Sequence, residues 1–352
     1  MFVDNPILIG GSGSSGTTLL SHLLNSHPEI HCGWELHLLS KKRLYERPFR
    51  YSRSEFARML REGFPTTGGK TDEESFVTST CGRPVRDMTF LCRLEWHGIS
   101  PENVCLLAES SGSFKEFIDR FFREILNRSR KNRWAEKTPA NCYTIGNFLD
   151  LYPSGRYVQV VRDGRDVVPS LMKKGISLEE AVRTWTSMTA VALPYRRHPR
   201  YYEIRYEDLV RDPEDSLRGL MRFLELSGEP GSLMERARSL AVSGFVSSTW
   251  GARPDEPIRR DSLGKWKRGD YPARRRIEQL FRHLKVTRAV AEELGLPGRF
   301  NANDILSIFG YDVREDWNPE TWPDRRTIRN YLKERHCEIF HHRQSSFRLC
   351  LN

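Results

Sequence analysis

The stretch PILIGGSGSSGTTLL, Pro6 to Leu20, decides the fold. Ile7, Leu8 and Ile9 form an apolar run of the length of a buried strand. A loop of Gly and Ser follows as far as Gly16. Thr17 and Thr18 then open an amphipathic run through Leu19, Leu20, Leu23 and Leu24. Strand, glycine-rich loop and helix in this order make an anion cradle. The glycines let the backbone curl until several N–H groups aim at one point, and the helix N-terminus adds partial positive charge. Gly13, Ser14, Ser15, Gly16, Thr17 and Thr18 are the candidate contacts. The spacing Gly11-x-x-x-x-Gly16 is that of an NTP-binding loop, yet Thr17 stands where a kinase or NTPase places the lysine that reaches the β and γ phosphates. The anion implied has less charge to neutralise and no Mg²⁺ to anchor.

Five further segments carry chemistry. In YVQVVRDGRDVVPSLMKK, Tyr157 to Lys174, an apolar strand ends in Arg162, and Ser170 lies in the helical run beyond the Asp163-Gly164 turn. RRDSLGKWK, Arg259 to Lys267, is a basic loop around Trp266. HPEIHCGWE runs from His27 to Glu35, WAEKTPAN from Trp134 to Asn141, and RYEDLVRDPEDSL from Arg205 to Leu217. With the loop Ser15 to Leu20, these segments resemble the sulfotransferases, enzymes that move a sulfuryl group from 3′-phosphoadenosine-5′-phosphosulfate (PAPS), leaving PAP. The likeness is nearest to the bacterial and tyrosylprotein-sulfotransferase-like branch and covers roughly residues 6 to 311.

The resemblance implies roles. The Ser15–Leu20 loop holds the 5′-phosphosulfate. Arg162 and Ser170 grip the 3′-phosphate, Arg with planar charge-assisted donors. Lys265 or Lys267 reaches the same phosphate while Trp266 packs on the loop. Tyr206 lies beside the nucleotide. Glu35 is the general base, with His31 and His37 as the alternatives, and Lys137 stabilises the leaving oxygen. One position departs from the pattern: the residue before Ser-Gly-Thr-Thr is usually Arg or Lys, and here it is Ser14. Three readings are open: Lys137 and the helix-end N–H groups suffice, another basic residue such as Lys41 or Lys42 substitutes, or activity is low or altered.

Composition narrows the classes. A chain of 352 residues accommodates one large α/β domain. A net charge of +10 suits an acidic ligand, but the basic residues are mixed with 46 acids and no nucleic-acid-binding motif occurs, so no nucleic-acid partner is expected. No run of ~20 apolar residues spans a membrane. With no signal-peptide pattern ahead of the first strand, the chain is expected to be cytoplasmic. Seven Cys, an odd count without C-x-x-C spacing, read as free thiols, and no metal is expected.

The expected fold is α/β, a P-loop-like three-layer sandwich with a central, mostly parallel sheet flanked by helices. One sulfotransferase domain is expected over 1–311, with 41–102 as a substrate-facing insertion and 312–352 as a C-terminal helical extension containing a helix over Pro323 to Phe340. Ser113-x-x-Glu116 and Ser177-x-x-Glu180 read as helix starts, as does Asp212-Pro213, and Pro272 to Leu296 reads as one basic amphipathic helix. Two other functions fit the loop: a P-loop nucleotide kinase or NTPase, and a non-catalytic nucleotide-binding protein. The acceptor is left open between a small-molecule alcohol or phenol and a peptide tyrosine.

Overall fold

The computed structural model describes residues 5–46, 49, 51–62, 94, 97–242, 260–267, 274–286, 301–311, 313 and 349–351. The chain divides into two compact units, Met1–Tyr271 and Pro272–Asn352, a division that falls ahead of residue 311.

In the first unit five strands form one parallel sheet: β1 Ile7–Gly11, β2 Ile30–Cys32, β3 Arg133–Lys137, β4 Arg156–Val161 and β5 Tyr201–Arg205, in the order β2-β3-β1-β4-β5. Parallel strands need both faces covered, which is why β1 is buried along its whole length and reads as a continuous apolar run. Side chains alternate between faces. Leu8, Trp134, Tyr157 and Tyr201 enter one core, with α2 Arg53–Glu62, α3 Pro101–Glu109, α4 Phe114–Ser129 and α5 Ile145–Leu151. Ile7, Ile9, Ala135, Val158, Val160 and Ile204 enter the other, with α1 Thr17–Asn25 and the three helices that follow β5. The expected three-layer sandwich is therefore the observed one. Phe122 of α4 stacks on Trp134 with ring centroids 4.1 Å apart.

After β4 come α6 Gly164–Met172 and α7 Leu178–Ala190; after β5 come α8 Tyr206–Arg211, α9 Pro213–Leu224 and α10 Pro230–Val242. Ser113, Ser177 and Asp212 each accept the N–H of the residue three positions on, as their sequence contexts predict. The Glu116 carboxylate takes the Gly112 N–H. Within 41–102, the described α2 contributes Phe56, Ala57 and Leu60 to the core; much of the remainder lies outside the described residues.

The second unit contains α11 Arg274–His283, a short antiparallel pair of β6 Leu284–Val286 with β7 Leu349–Leu351, and α12 Ala302–Ile308, which starts with a reciprocal Asn301–Asp304 capping box. The helix expected over Pro272 to Leu296 thus ends at His283. β-Branched Val286 favours the strand that replaces it. The helix expected over Pro323 to Phe340 lies outside the described residues.

Candidate functional site

The phosphate loop, Arg162, Tyr206, Lys137 and Glu35 lie at or just beyond the C-terminal ends of strands, near where the strand order reverses around β1. This is the place at which open parallel sheets bind ligands.

The cradle begins at the end of β1. Gly11 has φ +150°, and a Cβ there would lie 2.4 Å from the Val160 carbonyl oxygen. Ser15 donates both its N–H and its hydroxyl to the Ser12 carbonyl, at 3.2 and 2.7 Å, which closes a tight turn. Ser14 and Gly16 sit in the left-handed region, and Gly16 caps α1 with no side-chain hydrogen bond and no acid in the first turn. The first N–H groups of α1 and its dipole are left for an anion. The Ser12 hydroxyl is buried in this loop without a hydrogen-bond partner among the described residues.

Arg162 leaves β4 toward this loop. It donates to the Ser14 carbonyl (3.1 Å) and the Ser262 carbonyl (2.7 Å), and its guanidinium lies 4.4 Å above the Tyr206 ring. Its Nε is buried without a partner among the described residues. Asp163 pairs with Arg165 at 2.8 Å, so Arg162 is not tied up by its neighbour. Tyr206 opens α8 directly after β5, and its hydroxyl meets the Ser262 hydroxyl at 2.8 Å. Ser170 lies half-buried on α6.

The late basic loop is latched to α6. Asp166 accepts the Gly264 and Trp266 N–H groups at 2.7 and 3.0 Å, and Arg165 stacks 4.0 Å over the buried Trp266 ring. Lys267 turns back toward that ring at 5.3 Å, and Lys265 is exposed. The position vacated by the usual cation at Ser14 is met by Lys174, just beyond α6, whose Nζ donates to the Ser14 hydroxyl at 2.9 Å. Lys41 and Lys42 are the examples the sequence offers of a substituting cation; the lysine at the Ser14 hydroxyl is Lys174, which follows α6.

The second half of the site joins the ends of β2 and β3. Lys137, the last residue of β3, donates to Glu35 Oε1 at 2.5 Å and to the Thr18 hydroxyl at 3.2 Å, and its Nζ lies 5.7 Å from the Trp34 ring centre. The other Glu35 oxygen meets His37 Nε2 at 3.2 Å. Burial alone would raise the Glu35 carboxyl, but Lys137 and His37 overcome it and hold the group below the ordinary carboxylate range. His37 has φ +57°, a left-handed conformation that costs a non-glycine residue about 1–3 kcal/mol. Burial and the nearby Lys137 push the His22 imidazole down to about 4. His31, an alternative base on sequence grounds, is engaged elsewhere: its Nε2 meets His97 Nδ1 at 3.2 Å, and His97 Nε2 bonds the Trp34 carbonyl at 3.0 Å. Burial drives His31 well down and His97 to about 4.

Sequence reading missed Lys174, Asp166, Trp34 and His97. The signal for the first was the Lys173-Lys174 pair closing the α6 segment. The arrangement as a whole offers an anion cradle beside a buried carboxylate–ammonium pair.

The sulfotransferase family model matches residues 6–230. A protein-tyrosine sulfotransferase from Drosophila melanogaster is 20% identical over 345 residues, covering 91% of this chain and 55% of that protein. Protein-tyrosine sulfotransferase A from Caenorhabditis elegans is 21% identical, covering 74% and 60%. The chain therefore spans about 55 to 60% of the length of these curated relatives. An omega-hydroxy-beta-dihydromenaquinone-9 sulfotransferase, Stf3, from Mycobacterium bovis is 28% identical over 131 residues, 32% of this chain and 34% of that protein. The sulfotransferase domain of the Synechococcus PCC 7002 olefin synthase has the same fold, with TM-score 0.55, 18% identity and coverage of 89% of this chain and 100% of that one. Strand order, loop geometry and family match agree, and the chain belongs to the sulfotransferase family.

Proposed function

We propose that this protein transfers a sulfuryl group from PAPS to an acceptor hydroxyl by in-line displacement. The observation that carries the reading is the buried Glu35–Lys137 pair standing beside a loop onto which Arg162 and Lys174 converge. PAPS supplies the sulfuryl group and leaves as PAP. The first-turn N–H groups of α1 and the Ser12 hydroxyl hold its 5′ end, and Arg162, with Ser170 and the 260–267 loop, holds the 3′-phosphate. Glu35 takes the acceptor proton as the new O–S bond forms. Lys137 donates to the phosphate oxygen that gains charge as the old S–O bond breaks.

Lys137 aims two of its three N–H donors at Glu35 and Thr18, so the third can meet the bridging oxygen while the pair holds. Thr17, in place of the NTPase lysine, argues for binding without Mg²⁺. The acceptor is a small-molecule alcohol or phenol or a peptide tyrosine; the names of the relatives include a protein tyrosine and an omega-hydroxyl.

Calorimetry with PAP tests the donor site. The expected result is micromolar, Mg²⁺-independent binding, weakened when the 3′-phosphate is removed. Labelled PAPS offered with a tyrosyl peptide, a phenol and an aliphatic alcohol tests transfer. Tight PAP binding with no transfer to any of the three would favour a non-catalytic nucleotide-binding protein; Mg²⁺-dependent ATP binding would favour a kinase.

A further inference from the structure

Glu136 is a carboxylate, 1% exposed, for which the transfer chemistry above has no use. It precedes Lys137 in β3. Strand alternation turns the two side chains to opposite faces. Its Oε1 accepts the Leu36 N–H at 3.0 Å and the Thr138 hydroxyl at 2.7 Å, and its Oε2 accepts Asn141 Nδ2 at 2.6 Å. Thr138 Oγ1 in turn accepts the His37 N–H at 3.2 Å, and Asn141 Nδ2 also donates to the Ile9 carbonyl of β1 at 3.0 Å. The two N–H groups that follow Glu35 are therefore both tied to the end of β3, and the tie is anchored in the central strand. His37 is held left-handed in the same segment. Burial pushes the Glu136 carboxyl up, while three donors converge on it; the ionised form accepts all three, whereas a protonated one would aim an O–H at a donor.

We propose that Glu136 is the positioning residue of the transfer site. It clamps the Leu36–His37 backbone, through its own oxygen and through Thr138, so that the Glu35 carboxylate stays within reach of Lys137 and of the acceptor oxygen. Glu136 touches neither donor nor acceptor and acts only through Glu35. This rests on the reading of Glu35 as the base. Groups that orient a reacting side chain typically change activity 10- to 100-fold when removed, with little effect on remote binding.

The test uses Glu136→Gln, Thr138→Val and Thr138→Ser, each alone and on a Glu35→Gln background. Turnover is followed with labelled PAPS and whichever of a tyrosyl peptide, a phenol or an alcohol the wild type sulfates. PAP affinity and Tm are measured in parallel. Glu136→Gln is expected to lower kcat about 10- to 100-fold with PAP affinity within about twofold of wild type. On the Glu35→Gln background it should add less than about twofold, since both changes disable one unit. Thr138→Val should show the same signature, and Thr138→Ser should restore activity, so the outcome stands even if Glu136→Gln does not fold. Unchanged kcat, a full multiplicative loss on the Glu35→Gln background, or an equal loss of PAP affinity would overturn the positioning role while leaving Glu35 as base. Near-wild-type activity of Glu35→Gln would instead remove the base reading, and this inference with it.

Discussion

Around the Ser12–Gly16 loop, Arg162 and Lys174 converge on backbone and hydroxyl oxygens, and two polar atoms, Ser12 Oγ and Arg162 Nε, are buried without partners among the described residues. At the ends of β2 and β3, Lys137 is already matched by Glu35, and Glu35 by His37. In the first region Arg162 and Lys174 meet neutral oxygens; in the second a buried cation meets a carboxylate. The difference predicts opposite responses to substitution: losing a cation from the first should cost anion affinity, whereas losing one from the second should strand a buried charge and cost stability.

Four experiments bear on this contrast. The largest effect is expected at Glu35. Glu35→Gln should lower kcat by about 10²- to 10⁴-fold, the range for losing a general base, with PAP affinity nearly unchanged. Since Lys137 and His37 hold this carboxyl low, the acid limb of wild-type kcat/KM should fall below the ordinary carboxylate pKa of about 4.3. A limb at neutral pH would point to a histidine as the base.

Lys137→Ala should lower kcat about 10²- to 10³-fold by removing charge stabilisation of the leaving oxygen. It should also cost about 3–5 kcal/mol in denaturant unfolding, because a buried carboxylate loses its partner. The sign of the pH effect follows: Glu35 has a depressed folded pKa, so the pairing contributes fully above the unfolded pKa of about 4.3 and is lost as pH falls through the folded value. Substantial turnover by Lys137→Ala would locate the essential cation elsewhere.

Arg162→Ala tests the open region and should weaken PAP binding by about 1.5–3 kcal/mol without a comparable change in stability, the reverse of the Lys137 signature. Equal PAP affinity in wild type and variant would remove Arg162 from the site.

The smallest effect is expected at Ser14. An arginine there would meet Lys174, which now reaches the Ser14 hydroxyl. Ser14→Arg should therefore lower PAP affinity and kcat a few-fold through like-charge crowding, and Ser14→Arg with Lys174→Met should recover most of both. A gain of activity in Ser14→Arg alone would show that Lys174 does not stand in for the missing cation.

How much of this was legible depends on how local each feature is. The loop and Arg162 could be read because each sits directly after an apolar strand; Tyr206, which follows the mixed strand Tyr201–Arg205, was named by resemblance. Glu35 and Lys137 were picked out one at a time by resemblance. That they meet follows from β2 pairing with β3, a contact between residues about a hundred positions apart. Glu136 precedes Lys137 in the sequence and carries no signal of its own. It faces the other way, and only the tertiary fold brings the Leu36 N–H to it. Asp166 carried no signal in the sequence, because its partners Gly264 and Trp266 come from a distant loop. Helix starts were legible from their caps. The end of α11 was not, since the β6–β7 pairing that replaces the helix depends on the far end of the chain.

Gly16 and Tyr206 leave a trace that inheritance should show. A Cβ at Gly16 would come within 2.3 Å of the Tyr206 ring, the ring that also carries the Arg162 guanidinium and whose hydroxyl meets Ser262. One aromatic plane thus serves as the wall for three segments far apart in the chain. A single methyl group added at 16 would displace the ring and, with it, the seats of both Arg162 and the late loop. Since Gly16 also holds a left-handed φ of +100°, a smaller residue at 206 would not by itself admit a side chain at 16: glycine should persist there, and positions 162, 206 and 262 should drift as a set around it even though no two of them are neighbours in sequence.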